Sequence, residues 1–520
     1  MKIAFCVSEA VPFAKTGGLA DVAGALPQAL KKTGAQTIVL MPAYEFLFSQ
    51  DYKFSKVAEN VTVHMNDYYY EEFDLYKAHI NNTDFYFVRN PKFFDRQNLY
   101  GTPQGDYYDN DIRFAFFSRA IFEALKKIDF IPDIIHLHDY HFGLAALLLR
   151  DLKSKPAGSS AAKTKYAIFK NTKCVFTIHN IAYQGIYDPA ILERAGISYD
   201  HYNMEGVEFY GRINYMKAGI VYSDAITTVS PTYSKEILTP QYGYGLDGIL
   251  NKRKKDLFGI INGIDYSIWN PETDKNIAIN YSENDLQGKM ECKFALIEKM
   301  FGPGSTAGEI PEGRGNAASQ QFNYLEKPGI SKIPVAGMVS RLSEQKGIDL
   351  IVQAMESIME NDIYFIILGT GDEKYHNLLK ALSKKYCSRL SLVIGYSEKM
   401  ARQIYAGSDI LLMPSNYEPC GLGQLISLKY GTIPVVRDTG GLSDTIIDIK
   451  TQQDIKKKGQ GFKFTNYCPQ EFYRALKRAL EFYSNRTLWH KIMANAMRQD
   501  FSWDYSAAEY IKLYSSLMKE

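Results

Sequence analysis

The feature that most constrains this chain is an alternation of strand and helix patterns that runs once and then starts again. Short apolar runs rich in β-branched and aromatic residues, KIAFCV, QTIVLM, DIIHLH and CVFTIH, alternate with longer helical patterns such as LADVAGALPQALKKTG. Continuous apolar runs are what strands buried on both faces of a parallel sheet require. The first half therefore predicts a doubly wound α/β sheet. After about residue 330 the pattern restarts with IPVAGMVSR, YFIILGTGD, LSLVIGY, DILLMPS and TIPVVRD, which predicts a second, Rossmann-like sheet. At 520 residues the chain is too long for one hydrophobic core. The expected domains are residues 1–256, residues 257–500, and a C-terminal helix, 501–520, packing back on the first. Two stretches dense in small and polar residues, near 153–165 and over 301–330, read as loops or insertions.

Charge and cysteine usage remove several function classes. Sixty Lys and Arg stand against 58 Asp and Glu, a formal charge of +2, so no global basic field points to nucleic acid or an anionic membrane. The six cysteines, Cys6, Cys174, Cys292, Cys387, Cys420 and Cys468, form no CxxC pair, which speaks against a zinc ribbon or disulfide framework and for a reducing cytoplasm. Ser8 and Glu9 interrupt the N-terminal apolar run before a signal-peptide core develops, and no apolar stretch is long enough to span a bilayer.

Several motifs carry chemistry. KTGGLADV, Lys15–Val22, is expected to follow the first strand directly and to open a helix, so its backbone amides and the positive helix end can approach a diphosphate. The alternative is an ordinary glycine turn. Arg341 and Lys346 follow a strand of the second half at a spacing that lets both face one ligand; on charge alone they read as a solvated surface pair. Glu418 follows the strand DILLMPS beside Gly421 and Gly423. Cys420 reads as a small packing residue rather than a thiolate nucleophile. His136, His138, His141 and Asp139 imitate a metal cluster, but on a strand His136 and His138 share one face while the HDYH end turns into a loop, and no Cys or second carboxylate completes a site. Asp109 and Asp111 imitate the DxD of metal-dependent transferases. Gly243–Gly248 matches GxGxxG, yet it follows a helical pattern instead of a strand, which removes the dinucleotide reading.

KTGGLADV, IHLHDYHFG, TIHNIAYQG, TPQYGYGL, INGIDYSIWNP, VSRLSEQKG, LGTGD, SNYEPCGLGQL and DTGGLSDT, in this order, resemble bacterial glycogen synthases and plant starch synthases over nearly the whole chain. The resemblance implies a glycosyltransferase-B fold and metal-independent, cofactor-free retaining transfer of glucose from ADP-glucose to the non-reducing end of an α-1,4-glucan, in a cleft that closes between the domains. It makes Arg341 and Lys346 the diphosphate clamp, Glu418 the grip on donor hydroxyls, His141 a donor-sugar contact, and Asp109 a neighbour of the transferring sugar, with Asn110 and Arg113 beside it facing the cleft. It marks Lys15, Gly17, Gly18, Asp21, Asn180, Asn262, Cys420, Gly421 and Leu422 as substrate-binding, and Tyr396 as an adenine neighbour. Position 426 is Ile where many related retaining transferases carry a second Glu, so a double-carboxylate mechanism is unsupported. Two alternatives are a UDP-glucose transferase that makes a disaccharide and a catalytically silent glucan-binding protein.

Overall fold

The computed structural model describes residues 1–102, 104–154, 167–302 and 330–519. Of the two expected loops, residues 155–165 and 303–329 lie outside the described residues. The chain divides into two compact units, Met1–Gly263 with Ser502–Glu520, and Ile264–Phe501.

The first unit is built on nine strands: β1 (Lys2–Cys6), β2 (Gln36–Pro42), β3 (Ser55–His64), β4 (Tyr70–Ile80), β5 (Thr83–Arg89), β6 (Ile134–His138), β7 (Lys173–Ile178), β8 (Ala225–Thr228) and β9 (Leu257–Gly259). Their order across the sheet is β9-β8-β7-β6-β1-β2-β5-β4-β3. The strands from β9 to β5 are parallel, and those from β8 to β5 are almost wholly buried, as continuous apolar runs demand. The β3–β5 edge departs from the expected doubly wound pattern, because it pairs antiparallel. Its sequence explains this: Val61, Val63 and Met65 are buried while His64 between them is exposed, the alternation of a sheet with one solvated face. Because β9 pairs with β8, the first unit extends past residue 256.

The helix Trp503–Leu517 belongs to this unit. Tyr514 meets the Nδ1 of His136 on β6 through its hydroxyl at 2.8 Å, and Ser506 Oγ donates to Ile261 O at 2.6 Å. A buried polar pair of this kind fixes register, because either group alone would be left unsatisfied.

The second unit carries six parallel strands, β10 (Val335–Val339), β11 (Tyr364–Gly369), β12 (Leu390–Ile394), β13 (Ile410–Met413), β14 (Ile433–Arg437) and β15 (Phe462–Phe464), in the order β12-β11-β10-β13-β14-β15. Both sheets reverse strand order once: the first beside β1, where β6 adjoins it, and the second between β10 and β13. In open α/β sheets the crevice outside the carboxyl ends of strands at such a switch point is where ligands bind.

Candidate active site

In the first unit, the segments leaving β1, β6 and β7 meet at the switch point. Eleven residues, Val7–Gly17, separate β1 from the helix Gly18–Lys32, so KTGG does not follow the strand directly. That interval brings Glu9 beneath the loop, where its carboxylate accepts hydrogen bonds from the Thr16 amide and hydroxyl. Burial pushes this carboxyl up to about 7 against those bonds. Lys15 is tied to Asp21 in the first helical turn at 2.7 Å, so both residues belong to one charged pair at the helix entrance.

At the end of β6, Asp139 adopts φ 60, a left-handed conformation that residues other than glycine occupy mainly at functional sites. Its carboxylate accepts from the His179 amide at 2.8 Å. Burial nevertheless raises it to about 7, against hydrogen bonds from the His179 and Asn180 amides. His141 follows two residues later. Its ring stacks on Tyr140 (3.9 Å between centroids) and Tyr100 (4.8 Å), with the edge of Phe114 at 4.6 Å. Burial holds the imidazole at about 3, hence neutral, and among the described residues neither ring nitrogen has a hydrogen-bond partner. An unsatisfied donor and acceptor on one buried ring is a standing cost that a bound hydroxyl would relieve. Asn262 also has a buried, unpartnered Oδ1. Asn180 turns its own Oδ1 back to the Ala182 amide at 3.1 Å, holding the backbone that caps Asp139.

In the second unit, the loops leaving β10 and β13 converge. Gly347, at φ 74, sits so close to Pro414 O that a Cβ would approach to 2.2 Å; a glycine is needed there to lay the Arg341–Lys346 loop against the Ser415–Glu418 loop. The Asn416 amide then donates to Gln345 O at 2.9 Å. Lys346 Nζ contacts Glu418 Oε2 at 2.6 Å, with side-chain exposures of 17% and 7%, and Ser415 Oγ donates to the same oxygen at 3.0 Å. Arg341 is turned along its loop to Gln345 Oε1 at 3.0 Å. A cavity of about 110 Å3 opens here, lined by Ser340, Lys346, Glu418, Gly421, Leu422 and Gly423. Cys420 is buried, and Tyr396, just past β12, is 70% exposed.

The structure corrects one group. Asn110 and Arg113, expected to face the cleft beside Asp109, are interior. The Arg113 guanidinium donates to Phe93 O (2.7 Å), Leu99 O (3.1 Å) and Asn110 Oδ1 (2.5 Å), and Asn110 Nδ2 to Tyr100 O (2.9 Å). The irregular stretch Phe93–Tyr100 leaves carbonyls that a buried segment must satisfy, and these two side chains supply the donors. Asp109 lies at the helix start, gripped by both terminal nitrogens of Arg96 at 2.8 and 2.6 Å. His136 and His138 do share one face, with ring centroids 4.1 Å apart. The GxGxxG match follows the helix Pro231–Glu236 and runs into the first turn of the helix Asp247–Lys252, without the preceding strand that a dinucleotide loop needs.

Glu9, Asp139 and Tyr100 were not singled out by their motifs as site residues. A carboxylate's burial is invisible in sequence, but Asp139 in HDYH follows directly on a buried strand at the switch point and Glu9 in SEAVP comes shortly after its neighbour, and that position was the available signal.

The sequence matches the family model described as Starch synthase catalytic domain over residues 2–252 and that described as Glycosyl transferases group 1 over residues 320–496. The paired α/β units are accordingly those of a glycosyltransferase with the GT-B fold. Glycogen synthases of Koribacter versatilis (42% identical, 99% of this chain and 98% of that one) and Geotalea daltonii (43%, 99% and 98%) align over nearly full length. The catalytic domain of starch synthase IV from Arabidopsis thaliana, solved bound to ADP and acarbose, superposes with a TM-score of 0.86 at 30% identity over 100% of this chain and 99% of that one. Sucrose-phosphate synthase from Thermosynechococcus elongatus (TM-score 0.58, 15% identity, 100% and 99% covered) shares the fold alone. The chain belongs to the bacterial glycogen synthase family.

Proposed function

We propose that this protein elongates an α-1,4-glucan by transferring glucose from ADP-glucose to the non-reducing end with retention of configuration. The observation that carries the reading is the Lys346–Glu418 pair beside an open cavity at the second sheet's switch point. Family membership supports the activity, and the ADP in the Arabidopsis relative supports adenine over uracil.

In this reading Arg341 and Lys346 hold the diphosphate and stabilise the charge that develops as ADP departs. Glu418, oriented by Lys346 and Ser415, accepts hydrogen bonds from donor glucose hydroxyls, while the backbone of Cys420, Gly421 and Leu422 lies against the sugar. Tyr396 offers an exposed ring to the adenine. In the first unit, Lys15 with the amides of Gly17 and Gly18 meets phosphate, and Asp21 orients Lys15. His141, neutral, hydrogen-bonds a glucose hydroxyl, with Asp109, Asn180 and Asn262 as further sugar-side groups. The acceptor hydroxyl attacks the anomeric carbon from the face that the diphosphate leaves; the carbon–oxygen bond to phosphate breaks, and the departing phosphate oxygen takes the hydroxyl proton. The domain roles follow, with the acceptor on the first unit and the nucleotide sugar on the second. The reading includes a cytoplasmic location, which the six free thiols support.

The test is glucose incorporation into glycogen from ADP-glucose or UDP-glucose with chelator present. Chelator-resistant incorporation from ADP-glucose is expected. A preference for UDP-glucose would overturn the donor, and no incorporation from either would overturn the activity.

A further inference from the structure

Four successive carbonyls of the loop that leaves β13, from Glu418 to Gly421, are all engaged by donors of the second unit. The Gly441 amide, in the DTGGLSDT segment after β14, reaches the first two, at 3.0 Å to Glu418 O and 3.2 Å to Pro419 O. Gln424 Nε2 donates to the next two, Cys420 O and Gly421 O, at 2.9 Å each. Gln424 is wholly buried, in the first turn of the helix Gly423–Lys429. Its Nε2 also reaches Thr445 Oγ1 at 3.3 Å, and that hydroxyl donates to Gly441 O at 2.6 Å. One threonine therefore joins the two sets of contacts.

The fit behind the loop is tight. A Cβ on Gly441 would lie 2.0 Å from Cys420 O, and one on Gly421, held at φ 74, would lie 2.3 Å from Gln424 Oε1. In a planar trans peptide the C=O and N–H point to opposite sides. Turning the Cys420 and Gly421 carbonyls onto Gln424 therefore turns the Gly421 and Leu422 amides the other way. Both of these residues line the cavity beside Lys346 and Glu418. Glycine takes either sign of φ at little cost, so the peptides flanking Gly421 need a tether to keep one orientation, and Gln424 Nε2 supplies it.

We infer that Gln424 is a positioning residue for the donor sugar: it fixes the Gly421 and Leu422 amides so that they donate to sugar oxygens, and Thr445 holds Gln424 in place. The inference rests on the proposed function, which sets this backbone against the sugar. An apolar residue at 424 would leave two buried carbonyls without their donor, and the peptides would turn to satisfy them. The amides would then leave the orientation that the sugar requires, with Lys346 and Glu418 untouched.

The test uses Gln424→Met, which keeps the length of the side chain without its donors, and Thr445→Val, a milder change that removes one hydroxyl. Calorimetric Kd values for ADP-glucose and for ADP, measured without acceptor, are set beside the KM for ADP-glucose. In Gln424→Met the Kd and KM for ADP-glucose are expected to rise about tenfold, and in Thr445→Val about threefold. The Kd for ADP, which has no sugar to place, is expected to stay within about twofold. ADP-glucose binding unchanged in both variants, or ADP affinity lost in step with it, would overturn the inference. If Gln424→Met fails to fold, Thr445→Val decides by the same two criteria. A protein that binds ADP-glucose in a Gln424-dependent way but transfers no glucose would overturn the proposed function and leave the positioning role standing.

Discussion

Replacing Lys346 with alanine removes the cation that pairs with a Glu418 side chain that is 7% exposed, and two separable effects follow. The first is on stability. Taking away one member of a fully buried ion pair costs about 3–5 kcal/mol. Lys346 is 17% exposed and Ser415 Oγ remains at 3.0 Å, so water and one hydroxyl recover part of this, leaving ~2 kcal/mol. For a unit the size of Ile264–Phe501 that lowers the melting temperature by about 4–8 °C. The second effect is on turnover. A preorganised donor aimed at developing negative charge is worth about 10^2–10^3 in kcat, and Lys346 is placed for that role on a loop held rigid against Pro414.

The double variant Lys346→Ala, Glu418→Gln separates the two effects. Neutralising the orphaned carboxylate should return most of the lost stability, since a neutral amide in a polar site carries no unpaired charge. Turnover should not return. Thermal unfolding and initial rates with ADP-glucose on the wild type and the two variants measure both quantities. A single variant with kcat within tenfold of wild type would refute the argument, as would a double variant no more stable than Lys346→Ala.

His141→Phe should keep or raise the melting temperature, because the aromatic nest of Tyr100, Phe114 and Tyr140 stays filled while two unpartnered nitrogens disappear; kcat should fall by about 10^2, and a fully active variant would remove His141 from the site. Glu9 titrates in the opposite sense to an ordinary paired carboxylate: its folded value of about 7 lies above the ordinary 4.5, so the folded state holds a proton that the unfolded chain releases. Its contribution is full below about pH 4.5 and is lost as pH rises through 7. Glu9→Gln should thus be more stable than wild type at pH 8, by on the order of 2–3 kcal/mol, with the advantage vanishing at pH 4.5; a pH-independent difference in chemical denaturation would contradict this. Tyr514→Phe should cost about 1–3 kcal/mol by leaving His136 Nδ1 without its partner and should expose the Trp503–Leu517 helix to faster amide exchange; unchanged exchange would show that the helix does not depend on this bond.

The fold was legible because buried parallel strands are written as continuous apolar runs, and the restart near residue 330 marked the second sheet. The β3–β5 edge was less legible, since its polar–apolar alternation is short and contains Asn60 at φ 50 with register shifts on either side of Ala58. At the site, residues carried by motif order were placed where motif and topology coincide: Lys346 and Glu418 sit on loops 72 positions apart that adjacent strands bring together. What sequence could not weigh was burial. Arg113 and Asn110 read as cleft residues because the family resemblance sets them beside Asp109, while the Phe93–Tyr100 backbone that claims them is apparent only in three dimensions. The partnership of His136 with Tyr514 spans 378 positions, and no local pattern announces it.

These misses share one cause, and it bears on how the site works. Glu9 and Asp139 sit at the carboxyl ends of neighbouring strands, each holding backbone amides with a carboxyl that burial raises to about 7. Groups so placed organise the loops that present Lys15, Gly17 and Gly18 on one side and Asn180 on the other. Preorganisation by buried polar groups requires desolvation, and desolvation is a property of packing, not of residue type. The residues that the proposed mechanism sets against substrate are therefore recognisable from motif, whereas those that hold them in place become visible only when the sheet's switch point is assembled.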